Sequence, residues 1–146
     1  MEKVIFSVKK RKEKEKMRKE FIICIIIIII VIAANTFTQM YTKNAVDFIN
    51  NKLEELKQQM LKENVKREIV QEKINNIINK EWRKKYDTLA FFTEHDELEK
   101  VETELTSLKS HIEIEQYDDG IPELEKAQFI LNHIKEKFKL DIKNIF

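Results

Sequence analysis

The chain has 146 residues, a formal net charge of +1, 36 % charged residues, and only one Gly and one Pro. That length holds one small domain plus extras, and the scarcity of turn residues excludes β architectures, which need a turn about every ten positions. Residues 1–40 carry nine Lys/Arg against four Glu, whereas 41–146 carry 18 Lys/Arg against 22 Asp/Glu, so the body is mildly acidic and mixed in charge and lacks the one-sided basic face of a nucleic-acid binder.

Residues 1–20 form a basic tail in which Lys9 with Glu13 and Glu15 with Lys19 make opposite-charge pairs at helical spacing. Such a flank holds its end of a chain in the cytoplasm, and it also suits docking on anionic headgroups. Phe21 to Ala34 then read FIICIIIIIIVIAA, fourteen residues with nine Ile and no charge. As helix this run is about 21 Å long, short of a bilayer's roughly 30 Å. Continuing to Met40 supplies the missing length, with Phe37 and Tyr41 suited to an interfacial belt. The expected span is 21–40, a lipid-bilayer contact from Phe21 to Met40. Beyond it the nearby basic residues are Lys43, Lys52 and Lys57, so the positive-inside rule predicts an N-terminus in the cytoplasm and an extracytoplasmic body at 41–146.

A cleaved signal peptide is the rival, with Val31 and Ala33, or Ile32 and Ala34, framing a cleavage site. The long basic tail and the lack of a helix breaker argue against it. Cys24, the single cysteine, lies inside the apolar run and reads as a small filler, with palmitoylation as the alternative. Ile23 before it is not the small residue that a lipoprotein signal wants.

From Ala45 to Trp82 apolar residues recur at Ala45, Phe48, Ile49, Leu53, Leu56, Met60, Val65, Ile69, Val70, Ile74, Ile77, Ile78 and Trp82. These gaps, mostly of three, four or their sums, predict one long amphipathic helix, which could run on from the span. The pattern breaks near 87–93. Thr93 to Asp96 then reads as a capping box, Thr93 as N-cap and Asp96 reaching back. A second helix carries Leu98, Val101, Leu105, Leu108 and Ile112 in heptad spacing and ends before a turn at Tyr117–Gly120. Pro122 is expected in the first turn of a third helix with Leu124, Ala127, Leu131, Ile134 and Phe138 on its face. The expected fold is all-α, an N-terminal transmembrane helix followed by a long amphipathic helix and an antiparallel helical hairpin, a three-helix bundle-like ectodomain. Ile145 and Phe146 are expected to tuck against the helices.

No catalytic, cofactor-binding or metal site is assigned, and the chain is not expected to be an enzyme. His95, His111 and His133 lack the spacing of helical metal sites, though His111 and His133 could face each other across the hairpin. The acidic groups Glu94/Asp96/Glu97 and Asp118/Asp119 read as solvated faces, and the latter lacks the spacing of a calcium loop. Ser7, Ser107 and Ser110 have no nucleophile context. Trp82, Tyr86, Phe91 and Phe92 crowd the end of the first body helix, either as a core corner or as an exposed partner patch.

Trp82, the Glu94-His95-Asp96-Glu97-Leu98-Glu99 stretch, the heptad ending Leu108-Lys109-Ser110-His111-Ile112, and Leu131-Asn132-His133-Ile134 with Asn144-Ile145-Phe146 resemble a pattern in small bacterial proteins, chiefly of spore-forming clostridia and relatives. That family is classed only as a domain of unknown function. The resemblance covers roughly 75–146, with the anchor matched by layout, and implies membrane association and a helical ectodomain without assigned sites. The leading expectation is a single-pass, membrane-anchored interaction or accessory protein that binds a protein partner or itself. The alternatives are an extracytoplasmic sensor or ligand-binding module acting through a membrane partner, and a secreted helical protein after signal cleavage.

Overall fold

A computed structural model describes the backbone of residues 2–62 and 66–138 and the side chains of 14–62 and 66–138. Val65, Ser7, the Lys9–Glu13 pair and the tail 140–146 lie outside the described side chains. Among the described residues every element is helical: α1 (Glu2–Met60), α2 (Arg67–Asn76), a π-helical segment (Ile77–Trp82), α3 (Arg83–Leu89), α4 (His95–Glu113) and α5 (Tyr117–Lys137). The chain divides into two units, Met1–Phe37 and Thr38–Phe146.

In the second unit the core begins on α1 with Thr42, Ala45, Val46, Ile49, Leu53, Leu56 and Met60, all buried. Each large aliphatic side chain removed from water here contributes about 1.5–3 kcal/mol before entropy is counted. The single long helix expected from Ala45 to Trp82 is instead divided, α1 ending at Met60 and α2 beginning at Arg67. A continuous helix would turn residues 63, 64 and 67 toward the core, and these are Glu63, Asn64 and Arg67. The stripe lapses there, so the chain leaves the helix and restarts.

The restarted rod carries Val70, Ile74, Ile77, Trp82 and Leu89 inward. The step from Ile77 to Trp82 is five residues, which an α-helix would swing off the face, presenting Glu81 instead. The wider π turn over Ile77–Trp82 takes up that extra residue and keeps the indole inside. Trp82 is 1 % exposed and packs edge-on against Tyr86 at 5.9 Å. Phe48 and Ile69, expected in the stripe, lie at its margin and are exposed.

The capping box is not formed. α4 starts one residue later than expected, at His95, with Glu94 as N-cap and no side-chain cap bond. Thr93 is instead buried, and its hydroxyl finds no partner among the described residues. Asp96 and Glu97 still sit in the first turn, where the helix dipole favours them.

The turn after α4 is also displaced. It falls at Ile114–Gln116, and Tyr117–Gly120 form the first turn of α5. Glu115 takes φ 60°, the left-handed conformation that usually wants Gly. Gln116 N–H donates to the His111 carbonyl at 2.9 Å and Glu115 N–H to that of Ile112 at 3.2 Å, the two bonds of a Schellman closure. Arg67 reaches across to support it, donating to Glu115 Oε1 at 3.0 Å and to the Glu113 carbonyl at 2.6 Å. Because α5 begins at Tyr117, Pro122 lies in its second turn rather than its first, and the helix forgoes one bond there.

Gly120 therefore serves packing rather than a turn. A Cβ at this position would lie 3.2 Å from Met60 Cε, 3.3 Å from His111 Cβ and 3.3 Å from Leu108 Cδ1. α4 and α5 bury Leu98, Val101, Leu105, Leu108 and Ile112 with Leu124, Ala127, Leu131 and Ile134, as their spacing demands. Polar ties join α1 to α5: Lys135 to Asp47 at 2.8 Å, Asn50 to Asn132 at 3.0 Å and Lys57 to Glu125 at 2.7 Å.

Candidate functional site

In the first unit, the Ile-rich run is helical and uncovered. Its large apolar side chains range from 41 % exposed at Ile25 to 68 % at Phe21, and Cys24 is exposed with them. A helix apolar on all sides belongs in a protein core or in lipid, and a continuous sleeve of this size far exceeds the apolar patches that soluble proteins leave in water. Among the described residues one helix, with mean hydropathy 2.9 in its most apolar window, is long and apolar enough to cross a membrane, and none of that window is buried. A membrane anchor and a signal sequence share this character. At the far end of the sleeve Thr36 donates its hydroxyl to the Ile32 carbonyl at 2.9 Å, which hides a polar group that hydrocarbon could not solvate. On the basic side Lys16 pairs with Glu20 at 3.9 Å.

Tyr41, expected in an interfacial belt, packs against the body. Its ring meets Phe92 edge-on at 6.1 Å, and Phe92 in turn meets Phe138 at 5.8 Å. Lys85 Nζ lies 5.8 Å from the Tyr41 centroid and 5.3 Å from that of Phe48. The aromatic group flagged in the sequence thus splits. Trp82 is core and Tyr86 and Phe92 are half-buried, while Phe91 is 88 % exposed. Two adjacent aromatics in a short connection were the sequence signal for this division, but not for which ring faces out.

The polar groups of the body are mostly tied up in structure. Glu97 was expected on a solvated face but is only 8 % exposed. It accepts an ion pair from Lys137 at 2.6 Å, with His133 Nε2 at 3.7 Å. That pairing holds the Lys137 ammonium above its ordinary range. Glu94 also reaches Lys137, at 3.5 Å. Along the same seam Glu104 hydrogen-bonds Glu123, and this bond with partial burial raises the Glu104 carboxyl. Glu123 is held low by that bond and by Lys126, whose Nζ lies 2.9 Å from its Oε2. His111 and His133 do not face each other. His111 sits at Gly120 with Nδ1 buried and unpartnered, and His133 stands at Glu97. His95 stacks on Tyr86 at 6.4 Å. Asp118 and Asp119 are exposed, and Ser110 donates to the Thr106 carbonyl at 3.1 Å.

No group of three or more His, Cys, Asp or Glu able to hold a metal occurs among the described residues. A surface trough of about 560 Å³ runs between Asn51, Glu54, Glu55 and Gln58 of α1 and Lys73 of α2, its walls charged or amide. A smaller depression of about 310 Å³ is lined by Gln39, Met40, Lys43, Lys135, Glu136 and Phe138.

The family model described as Domain of unknown function (DUF4363) matches residues 36–145. The match begins at the far edge of the apolar sleeve and takes in the whole described body. No curated protein and no solved structure matches the chain.

Proposed function

We propose, for a chain that belongs to the DUF4363 family of unknown function, that it is a single-pass membrane protein whose helical body acts as an interaction or accessory module. The observation that supports this reading is the uncovered sleeve from Phe21 to Ile32, for which lipid is the natural partner. Residues 21–40 span the bilayer, the basic tail stays in the cytoplasm, and the body from 41 onward stands outside. In the body, α4 and α5 form an antiparallel hairpin against α1, in keeping with Glu97 pairing with Lys137 while His111 lies beside Gly120. The body has no assigned reaction: its titratable groups serve as ion pairs and helix ties rather than as a water-excluding catalytic pocket. Its role is to hold a protein partner, another membrane protein or a second copy of itself.

Two experiments test this reading. Alkaline carbonate washing should leave the intact chain in the membrane pellet, and protease added to whole cells should digest the body. A chain released to the supernatant, or a body protected until cells are opened, overturns the placement. Purification in mild detergent should recover a stoichiometric partner or an oligomer, and a lone monomer overturns the role.

The second reading is a ligand-binding module, favoured by the trough beside Glu54, Glu55 and Lys73. Small-molecule sites are mostly apolar and enclosed, whereas this one is open and polar, so it ranks second. A secreted body is the third reading, and the mass of the membrane-fraction N-terminus decides it.

A further inference from the structure

We propose that one side of α1, made by Lys14, Arg18, Phe21, Ile22 and Ile25, seats an anionic phospholipid, its phosphate held by the two cations and an acyl chain lying along the three apolar side chains. This inference deepens the membrane placement above and rests on it, and it concerns the first unit alone. At about 100° per residue, Lys14, Arg18, Phe21 and Ile25 fall within about 60° of one another, with Met17 and Ile22 to either side. These six residues line a surface hollow of about 650 Å³. Ile25 is its most sheltered member, 41 % exposed against 52 % for Ile22 and 68 % for Phe21.

Charge is sorted around this stretch of helix. Residues 14–20 hold four cations and two carboxylates. Glu20 pairs with Lys16 at 3.9 Å, on the side away from the hollow. Glu15 stands about a quarter turn from the hollow's middle. No carboxylate lines the hollow, and Lys14 and Arg18 make no ion pair among the described residues. Two exposed cations one turn apart therefore stand without counter-charge beside a bare apolar wall. A phospholipid supplies the complement of both parts. Arg offers a planar fork to two phosphate oxygens, and Lys adds a point charge. The levels agree as well. Arg18 lies three residues, about 4.5 Å, before Phe21, where the apolar run begins, and a helical side chain leans further toward the N-terminus. The headgroup layer is about 5–7 Å deep on each side of a bilayer, so the guanidinium reaches the phosphates. A soluble anion would use the cations and leave the wall bare. The hollow runs on into the span, and its occupant is therefore a lipid.

The test uses the full chain with Cys24→Ala in phosphatidylcholine vesicles. These carry a few per cent of a lipid with an acyl-chain nitroxide, either phosphatidylglycerol or phosphatidylcholine. A bimane on Ile29→Cys lies on the hollow's side of the helix, one turn deeper than Ile25, and a bimane on Ile27→Cys lies on the other side. Each cation near an anionic headgroup is worth roughly fivefold in partition. At position 29, nitroxide phosphatidylglycerol should therefore quench several-fold more than nitroxide phosphatidylcholine, and the excess should be smaller at 27. Lys14→Gln with Arg18→Gln should erase the excess. Lys16→Gln with Lys19→Gln removes the same charge from the other side and should keep it. Equal quenching by the two lipids at 29, or the same loss from both double variants, overturns this inference and leaves the anchor standing. No quenching by either lipid at either position overturns the anchor and this inference together.

Discussion

Replacing Gly120 with Ala sets two known terms against each other. Gly inside a helix costs about 1 kcal/mol relative to Ala, so the substitution in open space would stabilise α5 by that amount. Here the added methyl would meet three atoms at 3.2–3.3 Å. Carbon contacts are optimal at about 3.5–4.0 Å, so each neighbour must give by several tenths of an ångström. Met60 Cε is the tip of a flexible chain and can yield. His111 Cβ is fixed to the α4 backbone and cannot move unless the helix does. Overpacking of this kind costs about 1–3 kcal/mol, so the net expectation is a loss of roughly 1 kcal/mol. Gly120→Val adds two further methyls to the same gap and should cost several times more. Trp82, the only tryptophan and 1 % exposed, reports unfolding directly, so urea titration of the intact chain in mild detergent measures both variants by indole emission. A Gly120→Ala chain more stable than the parent by the full propensity term would refute the close approach of α4 and α5 at this point.

Three further outcomes are expected. Glu115→Gly should stabilise the body by about 0.5–1 kcal/mol in the same titration, because relief of the left-handed residue outweighs loss of an exposed pair with Arg67. The ammonium groups of Lys57, Lys126 and Lys137 are raised above 10.5 by their Glu partners, so the stability they lend is complete below that pH and falls away as alkali deprotonates the folded form. The urea midpoint should therefore decline above about pH 10.5, and Lys137→Met should flatten that decline. Ile27→Arg places a charge in the middle of the sleeve at about 2.5–3.5 kcal/mol on the insertion scale, and the carbonate-resistant fraction should drop.

Much of the body was legible because burial imposes a period. Leu98, Val101, Leu105, Leu108 and Ile112 are buried as their spacing required, and so are the four aliphatics of α5. The failures came where an irregular step was read as part of the stripe. Met60 to Val65 is five residues, and the positions a helix would turn inward after Met60 are Glu63, Asn64 and Arg67. The π turn was illegible because both Ile77 and Ile78 suit a helical face, and only packing decides between them. Thr93 looked like a cap because its type favours caps, but its hydroxyl is buried beside the aromatic turn. Gly120 looked like a turn residue for the same kind of reason. A lone Gly marks either a bend or a close approach, and the residue that does take the left-handed bend is Glu115. Ion pairs such as Glu97 with Lys137 join residues forty positions apart, a distance that no local pattern encodes.

The junction at Tyr41 has one more consequence. Thr42, fully buried, follows Met40 by two positions in unbroken helix, with no Gly- or Ser-rich stretch between them. The hydrophobic core of the body therefore opens within the first turn after Met40, and any fragment meant to carry the body in water must keep Thr42 and the helical turn before it.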